Sequence, residues 1–285
     1  MNRKALIVFT AAATLLLAGM STGCKKLQAR DNLNKGVQAF KNAKYADAVE
    51  FFNRAIELDP TYPTSRLYLA TAYMSQYIPG ADSPENRNYA QKAEENFKLV
   101  LEGNQKDTTA LKSLASLAYQ QANGMASTED KLKQLDVAAE WYRKLSSVDP
   151  NEKEAFYSLG VIAWAKFYPA WMSARTKLGM KPEEAGPIKD KKVKQELSDK
   201  YEAIIADGIK SLEKALEIDK EYDDAMAYLN LLHREHADLA ATEAECKAET
   251  EVANQWISKA LETRKIKAER QPKTQGITSE EAPAK

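Results

Sequence analysis

Apolar residues recur every three or four positions along most of the chain, with charged residues between them, a pattern that predicts an all-α protein from about residue 29 to residue 265. Leu33, Val37 and Phe40 mark one face of a first helix, and Tyr45 opens a second. Across these two helices, Ala48 follows Gly36 by twelve residues, Phe52 follows by four more, Ala55 by three and Pro60 by five. The small residues let two antiparallel helices approach closely, Phe52 fills the space between them, and Pro60 stops the second helix.

That spacing resembles a tetratricopeptide (TPR) repeat, a helix-turn-helix unit of about 34 residues. Four degenerate copies follow the first unit. The second carries Leu69, Ala70 and Tyr73, then Ala93, Phe97 and Val100. The third carries Leu114, Ala115 and Ala118, then Ala138, Tyr142 and Leu145, and the fifth Leu229, Asn230 and His233, then Ala253, Ile257 and Ala260. In these three copies the two halves stand 20 residues apart, from Tyr73 to Ala93, Ala118 to Ala138 and His233 to Ala253. An ordinary repeat leaves about nine, and the excess is roughly three helical turns, which lengthens a hairpin without rotating its packing face. Residues 78–84 and 123–128 read as the displaced turns, with Ser83 and Ser127 as N-caps.

The fourth copy departs furthest. Phe156, Leu159, Gly160 and Ala163 open it, and Gly208, Leu212 and Ala215 close it, with an insertion over residues 164–200. Val193, Leu197, Tyr201 and Ile204 keep helical spacing into Gly208, which predicts a second helix that starts early and runs long. Before the loop at 181–187, Trp164, Phe167, Tyr168 and Trp171 share one stripe, with Pro169 expected to kink the helix. Two readings of the stripe remain open: a core that buttresses the oversized hairpin, or an aromatic platform for a peptide or sugar.

The resemblance implies a right-handed α-solenoid of about five TPR-like hairpins, several with lengthened helices, whose first helices line a concave binding face. Phe40, Met74, Lys112, Tyr119, Tyr157 and Trp164, joined by Trp171 of the stripe, are then the candidate partner-binding residues. Leu33 and Val37 stand where chaperone-binding TPR domains carry Lys and Asn for a terminal carboxylate, so that clamp is not expected. The groove is expected to be apolar and aromatic.

The N-terminus changes the picture. Arg3 and Lys4 precede an uncharged run of 16 residues, Ala5 to Met20, shorter than the ~20 needed to span a bilayer. Ser21-Thr22-Gly23-Cys24 then resembles a bacterial lipobox, from which Ser21 departs where many have Leu. The resemblance implies cleavage after residue 23 and lipidation of Cys24, and Lys25 favours the outer membrane facing the periplasm. The expected layout is a signal peptide at 1–23, a membrane-proximal linker at 24–28, repeats at 29–265 and a disordered tail at 266–285. The basic run of Arg264, Lys265, Lys267, Arg270 and Lys273 suits a helix C-terminus, or contact with anionic lipid or cell-wall polymer.

Charge and chemistry exclude more than they add. Lys+Arg and Asp+Glu are both 41, so no global field draws nucleic acid, and export excludes it further. No cofactor, metal or catalytic residue is expected. His233 and His236 with Cys246 match no zinc-protease spacing. Phosphate-binding glycine loops, G-x-S-x-G and paired CxxC motifs are missing, and carboxylates alternate with Lys and Arg at i,i+4 spacing. The chain therefore reads as a membrane-anchored scaffold for an envelope protein or peptide segment, not an enzyme. The alternative is a SusD-like glycan-binding lipoprotein that stacks sugars on Tyr157, Trp164 and Trp171, and a third reading is a metal-dependent envelope enzyme that would need His233, His236 and Cys246 to converge.

Overall fold

A computed structural model describes residues 23–181, 184 and 186–270. These residues form ten α-helices and one short 3-10 turn, with no strand among them. The helices are α1 (23–41), α2 (Tyr45–Leu58), α3 (Pro63–Met74), α4 (Pro84–Gly103), α5 (Thr108–Gly124), α6 (Thr128–Val148), α7 (Lys153–Lys177), α8 (Lys191–Ile218), α9 (Asp223–His236) and α10 (Glu243–Arg270), with the 3-10 turn at Ala237–Leu239. Taken in pairs they are the five expected hairpins. The chain divides into two compact units, Met1–Ala155 and Phe156–Lys285.

In the first unit, Leu33 and Ala39 of α1, Ala48, Phe52 and Ala55 of α2, and Leu69 and Ala72 of α3 close one core. A Cβ on Gly36 would lie 2.5 Å from the Phe52 ring, so only glycine lets α1 come this near. Phe52 is fully buried and stacks on Tyr68 with ring centroids 5.5 Å apart. A second core joins Ala70 of α3, Ala93, Phe97 and Val100 of α4, and Leu114 and Leu117 of α5. Helix α6 then buries Leu135, Ala138, Tyr142 and Leu145 and packs on α5.

Side-chain caps fix where the long helices begin. Ser83 accepts the Asn86 N–H at 3.0 Å, and Ser127 accepts the Asp130 N–H at 3.3 Å, as the displaced turns require. Asn86 also holds the first of those turns, accepting the Ile78 N–H at 2.7 Å and donating to the Ile78 and Ala81 carbonyls at 2.8 Å each.

In the second unit the inserted residues became helix on both sides of a loop: α7 has 25 residues and α8 has 28. The long second helix is as expected. Its start is fixed by Asp190, whose carboxylate accepts the Lys192 and Val193 N–H groups at 3.0 Å each. Phe167 and Trp171 of α7, Leu197, Tyr201, Ile205 and Leu212 of α8, and Ala225, Leu229 and Leu232 of α9 share one core. Helix α10 opens with a reciprocal cap: Thr242 accepts the Glu245 N–H at 3.2 Å while the Glu245 carboxylate accepts the Thr242 N–H at 3.1 Å.

Two boundaries move. Residues 24–28, expected as a linker, are helical, because Ala29 and Leu33 anchor α1 in the core and its first turns continue back from them. Residues 266–270, expected in the tail, complete α10. Their basic side chains explain it: Arg264 donates to Asp223 at 2.5 Å and Asp224 at 2.8 Å, Lys267 to Asp223 at 2.6 Å, and Arg270 to Glu221 at 2.7 Å. Burial pushes the Asp223 carboxyl up, yet hydrogen bonds from Lys267 and Arg264 outweigh it and hold the group below its ordinary value. Arg264, Lys267 and Arg270 are therefore bound to acids in the first turn of α9 and just before it. Residues 1–22 of the expected signal peptide (1–23) and residues 271–285 of the expected tail (266–285) lie outside the described residues.

The contact between Gly36 and Phe52 is directly testable. Gly36→Val should lower stability by about 1–3 kcal/mol through overpacking, and Phe52→Ala by about 3–5 kcal/mol through cavity formation. Both should appear as lower midpoints in urea unfolding followed by circular dichroism.

Candidate functional site

The first-helix residues singled out by the sequence occupy different environments. In the first unit, Phe40 is half-buried, with its ring 5.4 Å from Tyr45, and Met74 packs against the core of α3, α4 and α5. Lys112 is exposed and reaches Glu152 at 3.3 Å. Tyr119 is half-buried on α5, where Ser116 and Gln120 bond to each other at 3.1 Å beside it in sequence.

The second unit decides the role of the aromatic stripe. Trp171 is 7 % exposed and donates its Nε1–H to Asp238 at 2.7 Å. Arg175, one turn further along α7 and 2 % exposed, donates to the same Asp238 oxygen and to the Lys181 and Glu184 carbonyls, the last at 2.6 Å. The Asp238 carbonyl in turn accepts the Ile188 N–H at 2.9 Å. A Cβ on Gly186 would overlap the Asp238 carboxylate, so the loop between α7 and α8 lies directly on the 3-10 turn. Trp171 is thus removed from the candidate groove, because its ring and its N–H are both spent on holding the insertion.

Trp164 and Tyr157 serve the same structure from half-buried positions. The Trp164 ring stacks on Tyr168 at 4.9 Å and meets Tyr228 edge-on at 5.6 Å, while its Nε1–H donates to Glu235 at 2.8 Å. Tyr157 lies 5.0 Å from Tyr222 and 5.7 Å from Tyr228. The aromatic faces that sugar stacking needs are largely engaged by one another, so the buttress is the reading that the geometry carries.

Behind the stripe sits a group that no local motif marks. Glu235 is 3 % exposed, and its second carboxylate oxygen has no hydrogen-bond partner. Burial pushes its carboxyl up to about 8, with the Trp164 hydrogen bond opposing and the nearby Asp238 adding to the rise. It is therefore neutral at pH 7. Arg175 was closer to legible, since it continues the 164, 168, 171 stripe by one more step; Asp238 and Glu235 carry no local signal.

His233 and His236 converge on one carboxylate rather than on a cysteine. Both Nδ1 atoms lie against the same Glu249 oxygen, at 2.8 and 2.9 Å, and His236 Nε2 meets Glu202 at 2.9 Å. The hydrogen bond to Glu249 raises the His236 pKa against the opposing effect of burial, and Glu202 adds to the rise. The bonds from His233 and then His236 lower Glu249 to about 2. No group of three His, Cys, Asp or Glu side chains among the described residues is arranged to hold a metal ion. Cys246 is a buried free thiol.

The first unit also contains an open cleft of about 610 Å³ between α4 and α6, lined by Leu101, Leu111, Trp141 and Val148 with lysines at its edge. Its walls come mainly from the second helices α4 and α6, with Leu111 of α5 and the turn at Gln105 and Lys106 completing the lining.

Comparison with known proteins places the first hairpin. The Tetratricopeptide repeat family model matches residues 32–62. Residues 32–62 are thus similar to a tetratricopeptide repeat. The match begins three residues inside the expected repeat region, which starts at residue 29, and includes both Gly36 and Phe52. Solved structures with the same fold include the MamA protein, 14% identical with a TM-score of 0.53, over 86% of this chain and 96% of that one. The MamA RS-1 ArsTM double mutant is 14% identical with a TM-score of 0.52, over 85% and 97%. MamA 41-end from Desulfovibrio magneticus RS-1 is 15% identical with a TM-score of 0.51, over 84% and 96%. At these identities the likeness is one of fold: an α-solenoid built from helical hairpins. No curated protein sequence matches the chain.

Two substitutions test the buried network. Glu235 has its folded pKa above the ordinary value of 4.5, so its contribution is full below pH 4.5 and is lost as pH rises through about 8. Glu235→Gln should flatten that decline and melt several degrees above the wild type at pH 8.5, with little difference at pH 4.5, in scanning calorimetry. Asp238→Ala leaves Arg175 buried without its carboxylate and should cost about 3–5 kcal/mol, read as a lower urea midpoint. In the same variant, limited proteolysis should cut first near residues 181–188.

Proposed function

We propose that the protein is a scaffold that holds a protein or peptide segment on the first helices of its hairpins, anchored to a bacterial envelope membrane through lipid on Cys24. The observation that carries the binding role is the tetratricopeptide repeat at 32–62, set in a run of helical hairpins. Stacked hairpins of this kind bury a continuous core and leave an extended face for a partner, and such proteins are in general scaffolds rather than enzymes. In the first unit, half-buried Phe40, Met74 and Tyr119 give the first helices an apolar, aromatic character; in the second unit taken by itself, Tyr157 and Trp164 are half-buried on α7.

The anchoring role rests on the lipobox-like Ser21-Thr22-Gly23-Cys24 after an apolar run. Cys24 is exposed, and Lys25 after it favours the outer membrane, facing the periplasm. The partner is then an envelope protein, with a place in envelope or secretion-complex assembly. Among the described residues no helix is long and apolar enough to cross a membrane.

Two measurements test the two halves of this reading. In-cell photo-crosslinking from Tyr119 and Tyr157, with the exposed Glu50 as control, should capture one recurrent envelope protein from the first-helix positions and not from Glu50. Equal capture from all three sites would overturn the groove. Metabolic labelling with an alkyne fatty acid should tag the wild type and lose all signal in Cys24→Ser; retained label would overturn the anchor.

A further inference from the structure

We propose that the cleft between α4 and α6 is a second docking site, for an acidic peptide segment of a partner protein that carries an apolar anchor side chain. The proposal rests on the scaffold reading but not on the first-helix face. Helices α4 and α6 both pack on α5, and the cleft of about 610 Å³ between them is lined by half-buried Leu101, Trp141 and Val148 together with the buried Leu111 of α5. That volume is in the range that houses one large side chain with its flanking backbone.

The edge of the cleft is cationic. Lys98, Lys106 and Lys144 line it against one carboxylate, Glu102. The Lys144 ammonium lies 4.3 Å from the Trp141 ring centroid, so charge and aromatic surface are presented together. Lys98 pairs with Glu94 at 2.6 Å on the same helix, an exposed i,i+4 pair that gives way cheaply to a better anion. Lys106 and Lys144 are exposed. Apolar lining alone would accept many side chains; the three lysines select acidic neighbours and reject basic ones, while the half-buried Trp141 supplies an aromatic anchor point of the kind that dominates binding energy.

The site is tested on the full chain by fluorescence anisotropy with a fluorescein-labelled acidic octapeptide containing one phenylalanine. Saturable binding is expected, weakened about tenfold or more by Lys106→Glu with Lys144→Glu. A similar loss is expected when the phenylalanine is replaced by serine, or when salt is raised from ~50 to ~300 mM. Both lysines are exposed, so the double variant should keep the wild-type circular dichroism spectrum. No saturable binding, or equal binding by the double variant, overturns the proposal. Failure here leaves the first-helix face standing, since crosslinking from Tyr119 tests that face separately; octapeptide binding lost in Tyr119→Ala but kept in the double variant would assign the peptide to it and overturn the cleft.

Discussion

The fold depends on how closely two antiparallel helices can come. A hairpin buries a core only if small residues face each other at the crossing and one large side chain fills what remains. Gly36 and Phe52 set that distance in the first hairpin, and in the fourth Gly160 meets Leu212 while Gly208 meets Ala163. The arrangement tolerates length. Because extra turns extend the same face, the helices can grow from the 14 residues of α2 to the 28 of α8 without changing the packing rule.

Length has a cost that the second unit meets with polar chemistry. Between α7 and α8 the chain runs through a long loop, and a long loop brings backbone groups that must find partners. Arg175 supplies donors to the loop carbonyls of Lys181 and Glu184, Asp238 neutralises it, and Trp171 covers the pair. A buried ion pair of this kind adds little net stability over an apolar core but is expensive to break. It suits a device that fixes one loop conformation. The neutral Glu235 beside it follows from the same burial: a second negative charge next to Asp238 would have no counter-ion, so the proton stays.

The aromatic stripe shows why composition misleads about function. Four aromatic residues on one helix face look like a ligand platform, and on an ordinary short hairpin they would be exposed. Here the insertion folds back over them, and the residues that remain at the surface are those whose rings already stack on Tyr168, Tyr222 and Tyr228. The proposed cleft is separate from this stripe, with Trp141 and Lys144 of α6, Lys98 of α4 and Lys106 of the turn after α4 in its lining.

The sequence by itself determined the hairpins: their number, the early start of α8, the caps at Ser83 and Ser127, and the Gly36 to Phe52 contact are all local or periodic, and period is written into one segment at a time. It also supplied the lipobox-like Ser21-Thr22-Gly23-Cys24, a resemblance that is linear in the chain. Only tertiary structure decided what the polar residues do. Asp238 stands 63 residues from Arg175 and 67 from Trp171, and Arg270 stands 49 from Glu221. A helical period says which face a side chain lies on, but not which distant charge that face will meet. For the same reason Trp171 read as a binding residue and the end of α10 as tail: both were placed by partners far away in the chain, brought near by packing alone.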